Sequence, residues 1–504
     1  MSADLSADIV IVGTGAGGGT LAYALKDSGA DVLLLERGDF LPQEDENWSP
    51  KASVTEGRYK ANDPWEHGNG TFIGSNHYCV GGMTKAFGGT MARFRPQDLD
   101  AYELDEGLSP AWPISYADLE PYYVRAEQIW GIRGDGTEDP MEPWRSAPYF
   151  HPAVPNEPRI DELAARLRAQ GLHPYKLPMG VAAGDGGPCL LGKYCDGFIC
   201  KVLAKCDADV RCVRPALESP TVRLQTNAYA ERLLTDRDGR RVTAVEVRIN
   251  GELQRVTAGK VVVCAGGVNS AALLLRSAST AHPKGLANSS DQVGRNYMQH
   301  INTALMAVDP RRANPTVFQK TLGINDFYLS ENGNHPRLGS AQLTGRLLVE
   351  HVRGVYPWMP RSFVSWLTDR SVDWWLMTED CPLPQNRVVL GKSGRNRIEW
   401  APSSLPRHKQ LVRNAAKMMR RAGYPFVFTR RFGVDTNAEQ AGTLRFGVDP
   451  SKSVLDPLGK AHDLENLWSV DASFLPSSGA GPGGPTLTIA AQALRIAEQS
   501  DLLR

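Results

Sequence analysis

The sequence predicts an α/β protein in which a parallel-sheet nucleotide-binding domain is joined to a second, mixed-sheet (α+β) domain. Three observations predict it. An apolar, β-branched run at residues 8–12 passes straight into a glycine-rich turn and a helical pattern. A second buried-strand pattern, residues 260–263, also breaks into glycines, at Gly266 and Gly267. Near the far end, residues 467–470 deliver Asp471, a Gly/Pro-rich loop, and a helix carrying Leu487, Ala490, Ala491, Leu494 and Ile496. Continuous apolar runs of this length suit strands covered on both faces. The three stretches lie far apart, so one domain is expected to be assembled from separated segments.

The opening segment supplies the chemistry. Gly13, Gly15 and Gly18 hold the GxGxxG positions; Leu21, Ala24 and Leu25 then recur at helical spacing, and Gly29 stops the helix. The first glycine permits the tight turn, the second admits a pyrophosphate, and the third lets helix and strand approach. The N–H groups at the helix start hold the anion. A second apolar strand at 31–35 ends on Glu36, where an acid accepts ribose hydroxyls. With 49 glycines a bare match carries little weight; the strand before and the acid after give it meaning. The motif alone does not separate NAD from FAD.

Composition bounds the rest. The chain has 504 residues, 42% hydrophobic and 22% charged, which suffices for two compact units. Lys+Arg and Asp+Glu both number 56, so a nucleic-acid partner is not expected. No run of about 18 apolar residues predicts a membrane span. Residues 1–13 lack a charged n-region and a cleavable apolar segment, so a cytoplasmic location is expected. Five of the eight cysteines fall at 189, 195, 200, 206 and 212. Their spacing lacks the CxxC hairpin of zinc sites, so reduced thiols and no metal are expected.

On the opening glycine motif, residues 77–85 (HYCVGGMTK), 261–276, 442–447 (GTLRFG) and VDASF…PTLTIAA, the chain resembles the glucose–methanol–choline (GMC) flavoprotein oxidoreductases. WPISYADLEPYY at 112–123 looks like the bacterial sugar and glycoside oxidase branch. The resemblance implies a Rossmann-like FAD-binding domain from 1–100, 185–300 and 440–504. It also implies a helical excursion and part of a cap from 101–184, and a substrate domain from 301–439. It places FAD along Gly13, Gly15, Gly18 and Glu36, with the adenine near Tyr229 and Ala230. The ribityl chain and flavin are expected along Gly81, Gly82, Met83 and Thr84, beside Ala265, Gly266, Asp471, Ala472 and Thr486. Where some relatives tether the flavin through a histidine, this chain has Lys85, Ala86 and Phe87, so non-covalent flavin is expected. The expected partner is a small polar molecule; the oligomeric state is not legible.

The resemblance breaks at the chemistry. The family's histidine base, three residues before Gly442-Thr443, is Glu439 here, and its asparagine, before Pro485, is Gly484. The loop before Pro485 is about two residues longer than usual. A carboxylate about 5 Å from a developing negative charge repels it by roughly 3 kcal/mol at an effective dielectric near 20. Three readings stay open: alcohol oxidation with Glu439 as the base, oxidation of an amine or amino sugar whose cation pairs with Glu439, and a flavin-retaining protein without dehydrogenation. His300 and His77 are the candidate substitute bases. Trp358, Trp366, Trp374 and Trp375 are candidates to stack on a sugar ring, with core packing as the alternative. Residues 384–390 read as a turn into a strand of the substrate-domain sheet, and 309–340 and 351–372 as loops, candidates for a lid or a subunit contact.

Overall fold

In the computed structural model, residues 5–184, 186–329, 337–436, 438–481 and 483–503 are described. The first sheet runs in the order Val222–Gln225, Val32–Leu35, Leu5–Val12, Glu252–Val263, Val242–Ile249, Ala228–Thr235, and Leu467–Ser469 joins it on Glu252–Val263. The strands from Val222–Gln225 to Glu252–Val263 pair in parallel, as does Leu467–Ser469. The strand Glu252–Val263 divides its far edge between two partners. Its first half pairs antiparallel with Val242–Ile249, and its last three residues take Leu467–Ser469. That division brings the C-terminal segment alongside the opening strand. Residues 9–12, 32–35 and 261–263 are buried, the cost of a parallel sheet covered on both faces.

Helices Ala16–Leu25 and Thr486–Gln499 cover this sheet beside one another. Glycine makes the approach possible. A Cβ on Gly17 would collide with the Val470 carbonyl oxygen, and one on Gly18 with that of Gly13. The helix Tyr116–Ile129 docks outside them, its Tyr123 hydroxyl 2.8 Å from Thr488 Oγ1.

The second sheet has six strands, all antiparallel, in the order Phe426–Arg431, Ile301–Val308, Ser371–Thr378, Ser340–Leu343, Leu322–Ile324, Tyr175–Lys176. Period-two alternation divides its faces. Leu305, Ala307, Val372, Trp374, Leu376, Ala341 and Leu343 form an apolar face packed on helices Pro158–Arg168 and Leu405–Arg421. The opposite face carries Asn302, Ser340, Gln342, Trp375 and Met377. Ser340 Oγ donates to the Ala480 carbonyl at 2.5 Å, so this face looks towards the C-terminal glycine loop.

Two sequence expectations are corrected here. Residues 384–390, read as leading into a strand of the second sheet, instead supply Arg387–Leu390 to a separate four-stranded sheet with Asn396–Glu399, Pro64–His67 and Gly70–Ile73. Val388 and Ile398 are buried in the core of the first domain, which draws this hairpin away. Residues 351–372, read as a loop, contain much of the helix Val349–Val355 and all of Arg361–Thr368. Of the tryptophans, Trp374 is core, Trp358 is exposed, and Trp366 stacks on Phe363 at the surface.

The contrast between two neighbouring glycines is testable. Gly15 has open space where a Cβ would go and a negative φ of −68°, whereas Gly17 has none. Gly17→Ala is expected to cost about 1–3 kcal/mol or more from overpacking. Gly15→Ala is expected to leave the urea midpoint of the apoprotein unchanged.

Candidate active site

The cleft between the first domain's helices is built of backbone. Helix Ala16–Leu25 starts after Gly15 with no side-chain cap and no acid in its first turn, leaving its N–H groups free for an anion. Helix Thr486–Gln499, following Pro485, is likewise uncapped. Gly15 and Gly266 (φ +91°) both face open space, while Gly13 (φ +104°) is pressed against Cys264. The turn at Gly81 and Gly82 crosses above. A Cβ on Gly82 would lie 3.3 Å from Gly15 Cα, and Gly81 N donates to Thr14 Oγ1 at 3.2 Å.

Glu36 is buried beneath this crossing and accepts from Thr14 Oγ1 (2.6 Å), Thr14 N (3.1 Å) and Gly38 N (3.2 Å). Burial outweighs those bonds and holds its pKa above the usual value. The Thr84 hydroxyl donates to Gly81 O (2.6 Å) and accepts from Ala208 N (3.0 Å), and Met83 lies beside it in the short helical turn Gly82–Lys85. Lys85 is buried between Asp207 (3.1 Å) and Asp209 (2.9 Å), which pins that turn. The ring of Tyr229, one residue before Ala230, lies 4.6 Å from the Arg37 guanidinium and 5.6 Å from that of Arg276. Ala265 N donates to Ser270 Oγ at 3.0 Å. Asp471 accepts from Gly266 N (2.8 Å), Ser270 Oγ (2.5 Å) and Ser473 N (2.7 Å), so its carboxylate clamps protein to protein. Ala472 opens the turn Ala472–Phe474, and Thr486 is the first residue of the closing helix. An elongated ligand with a pyrophosphate suits the two free helix ends and the glycines that face open space.

Two of the three sequence-named catalytic residues meet. His300 Nδ1 lies 3.0 Å from Glu439 Oε2, and His300 Nε2 lies 3.1 Å from the Ser478 carbonyl oxygen. The Ser478 carbonyl can only accept, so Nε2 carries a proton; opposite an ionised Glu439, Nδ1 donates as well and the imidazole is cationic. Burial opposes that charge, but the Glu439 carboxylate overrides it and raises the His300 pKa. Burial would raise Glu439 as well; the His300 charge and bond, with the Asn302 amide, bring it below the usual carboxylate value instead. Asn302 Nδ2 donates to the same Oε2 at 3.1 Å. Side-chain exposure is 1% for His300 and 22% for Glu439, so the acid is the more accessible partner. Its Oε1 receives no hydrogen bond among the described residues, and a Cβ on Gly484 would lie 3.3 Å from it.

His77 stands apart from this pair. Burial pushes its pKa down to about 4, so it is neutral. Its neighbour Asn76 accepts from Gln440 Nε2 at 2.8 Å, tying the two loops together. Trp375 stacks on Phe432 at 4.9 Å and 26°, and Phe432 N donates to Asn302 O at 3.0 Å, so this aromatic pair adjoins Asn302. Sequence reasoning missed Asn302 and Phe432. Asn302 had a signal: in an extended segment it shares a face with His300. All eight cysteines are free thiols, and burial raises Cys195 to about 11 and Cys206 to about 12.

A parallel nucleotide-type sheet closed by a C-terminal helix, with a six-stranded sheet facing its glycine loop, defines a flavin-dependent oxidoreductase. The chain belongs to the GMC oxidoreductase family: residues 8–302 match the family's N-terminal model and 392–493 its C-terminal model. FAD is the cofactor of this family and of this enzyme. The chain is 30% identical to the 6'''-hydroxyparomomycin C oxidase of Streptomyces lividus, over 98% of this chain and 91% of that protein. It is 28% identical to the paromamine 6'-oxidase of Streptomyces fradiae (97% and 90%) and to the fructose dehydrogenase large subunit of Gluconobacter japonicus (98% and 97%). Among solved structures, pyridoxine 4-oxidase from Mesorbium loti superposes with a TM-score of 0.67 at 19% identity, over 98% of this chain and 99% of that one. No helix among the described residues is long and apolar enough to cross a membrane.

The ion pair has a defined pH window. His300, raised, contributes stability that is full below the ordinary histidine value of 6.5 and lost as pH climbs through its higher folded value. Glu439, lowered, contributes stability that is full above the ordinary 4.5 and lost as pH falls through its lower folded value. The urea midpoint of the wild type is therefore expected to exceed that of the H300Q/E439Q double variant most between pH 4.5 and 6.5. The gap should close on both sides.

Proposed function

We propose that this enzyme oxidises a CH–OH group of a polyhydroxylated amino sugar, with Glu439 as the proton acceptor and His300 as its fixed counter-charge. The observation that carries the reading is the division of labour on one carboxylate. Oε2 is held by His300 and Asn302, while Oε1, which receives no hydrogen bond among the described residues, lies beside Gly484. Bound FAD would accept the hydride, which carries both electrons. The free helix N-termini with Gly13, Gly15 and Gly18 would hold its pyrophosphate, and Glu36 its ribose end. The substrate hydroxyl donates to Glu439 Oε1 and passes its proton there. Asn302 and His300 keep the carboxylate from turning, which is the positioning a general base needs.

Charge explains how an acid can stand where relatives carry a histidine. Glu439⁻ with His300⁺ has net charge zero before the proton arrives and plus one afterwards. A lone neutral histidine undergoes the same change. The roughly 3 kcal/mol repulsion expected of an isolated carboxylate is thus offset by its buried partner. Trp375 and Phe432 give a sugar ring an apolar wall.

A second reading rests on the lowered pKa of Glu439, which makes it a better anion than a base. In that reading Oε1 binds the substrate's ammonium group. Kinship with enzymes named for paromamine and 6'''-hydroxyparomomycin C favours an aminated substrate in either case.

Anaerobic bleaching of the bound flavin separates these readings. An amino-sugar glycoside is expected to bleach it, and Glu439→Gln to slow bleaching by about 10²–10⁴-fold for aminated and neutral glycosides alike. If Glu439→Gln slows only the aminated substrate, Glu439 is the ammonium anchor. Should no glycoside bleach the flavin, the oxidation of sugars falls.

A further inference from the structure

We infer that the strand Phe426–Arg431 is the seam of a two-fold homodimer, pairing antiparallel with the same strand of a second copy. It is an edge strand, and its only ladder among the described residues is with Ile301–Val308. Native sheets usually shorten, bulge, charge or cover such edges, and here charge is confined to the last two residues, Arg430 and Arg431. This one is six residues long, continuous in register and exposed along nearly its whole length. Phe426 is 52% and Phe428 50% exposed.

The ladder fixes which backbone groups face outward. Phe432 N donates to Asn302 O, and the register Arg430↔Ala304, Phe428↔Met306, Phe426↔Val308 repeats every second residue. Phe426, Phe428 and Arg430 therefore direct N–H and C=O inward, and Val427, Thr429 and Arg431 direct theirs outward. A two-fold axis normal to the sheet keeps each face on its own side, so odd residues pair with odd and even with even. The axis then passes through Phe428 or through Thr429. The first centre sets Val427 against Thr429 of the second copy, and the second sets Thr429 against Thr429. In both, outward donors meet outward acceptors.

Side chains agree with either centre. Arg430 lies opposite a phenylalanine of the second copy, Phe426 in one register and Phe428 in the other, so a cation meets an aromatic face instead of another cation. The apolar surface continues past the strand. Leu367 packs with Met306, the partner of Phe428, and the same helix presents the stacked pair Phe363 and Trp366, 46% and 37% exposed. Contiguous exposed aromatics of this kind mark an interaction surface. Phe432, whose N–H bonds the Asn302 carbonyl, follows directly on the seam.

Sedimentation velocity of the holoenzyme at micromolar concentration is expected to give twice the chain mass. Thr429→Pro removes only an outward N–H, a substitution that edge strands accept. It is expected to give a monomer with unchanged flavin content. Phe428→Cys and Thr429→Cys are then oxidised with oxidised glutathione, alongside the wild type as baseline. A residue on the axis meets its counterpart at about 4.5–5.5 Å between Cα atoms, within reach of a disulfide. A cross-linked dimer from either variant, and not from the wild type, supports the seam and locates the axis. A monomeric wild type, a Thr429→Pro variant that remains a dimer, or no cross-link from either cysteine overturns it.

Discussion

Asp471 joins segments that are more than two hundred residues apart. Its carboxylate receives Gly266 N and Ser270 Oγ across a sequence separation of 205 and 201 residues, and Ser473 N from its own turn. This holds the glycine break after the strand Glu252–Val263 against the end of Leu467–Ser469. Leu5–Val12 pairs along the same long strand, so its glycine turn falls into place beside them. The start of helix Ala16–Leu25 then packs at Gly17 on Val470 and on Ile489 of the closing helix. The cofactor site is thus a consequence of sheet order and of one buried acid, more than of any side chain that reaches a ligand.

Across the cleft, the second sheet works by separating its faces. The apolar face is sealed by two helices, and His408 bridges Thr303 and Thr378 inside that seal. The other face is then free to carry polar groups, and Asn302 takes its place there next to His300. Backbone stiffness from the sealed face is what allows a short-range ion pair to be held at 3.0 Å. The same charges loose in water would be worth little.

Much of the first domain was legible because its signals are local. Gly13 to Glu36 spans a single strand–turn–helix–strand unit, and every residue type in it answers to a backbone requirement. Two of its buried strands, at 8–12 and 260–263, also run into glycines, at Gly13 and Gly266, and they pair side by side. The pairing of His300 with Glu439 was not legible. The two are 139 residues apart, and each alone reads as an ordinary polar residue. Sequence reasoning therefore treated them as rival bases, whereas the fold makes them one unit. Residues 384–390 misled for a related reason. A short apolar strand carries no mark of which sheet it will join, and here burial of Val388 and Ile398 decided the matter.

Gly484 adopts φ +63°, and its missing side chain leaves the room into which Glu439 reaches. A side chain at 484 would press on that oxygen, so the position is held as glycine by what stands opposite it. Its left-handed backbone imposes the same choice independently. One residue without a side chain thus answers to two demands, the shape of the loop and the room around a carboxylate.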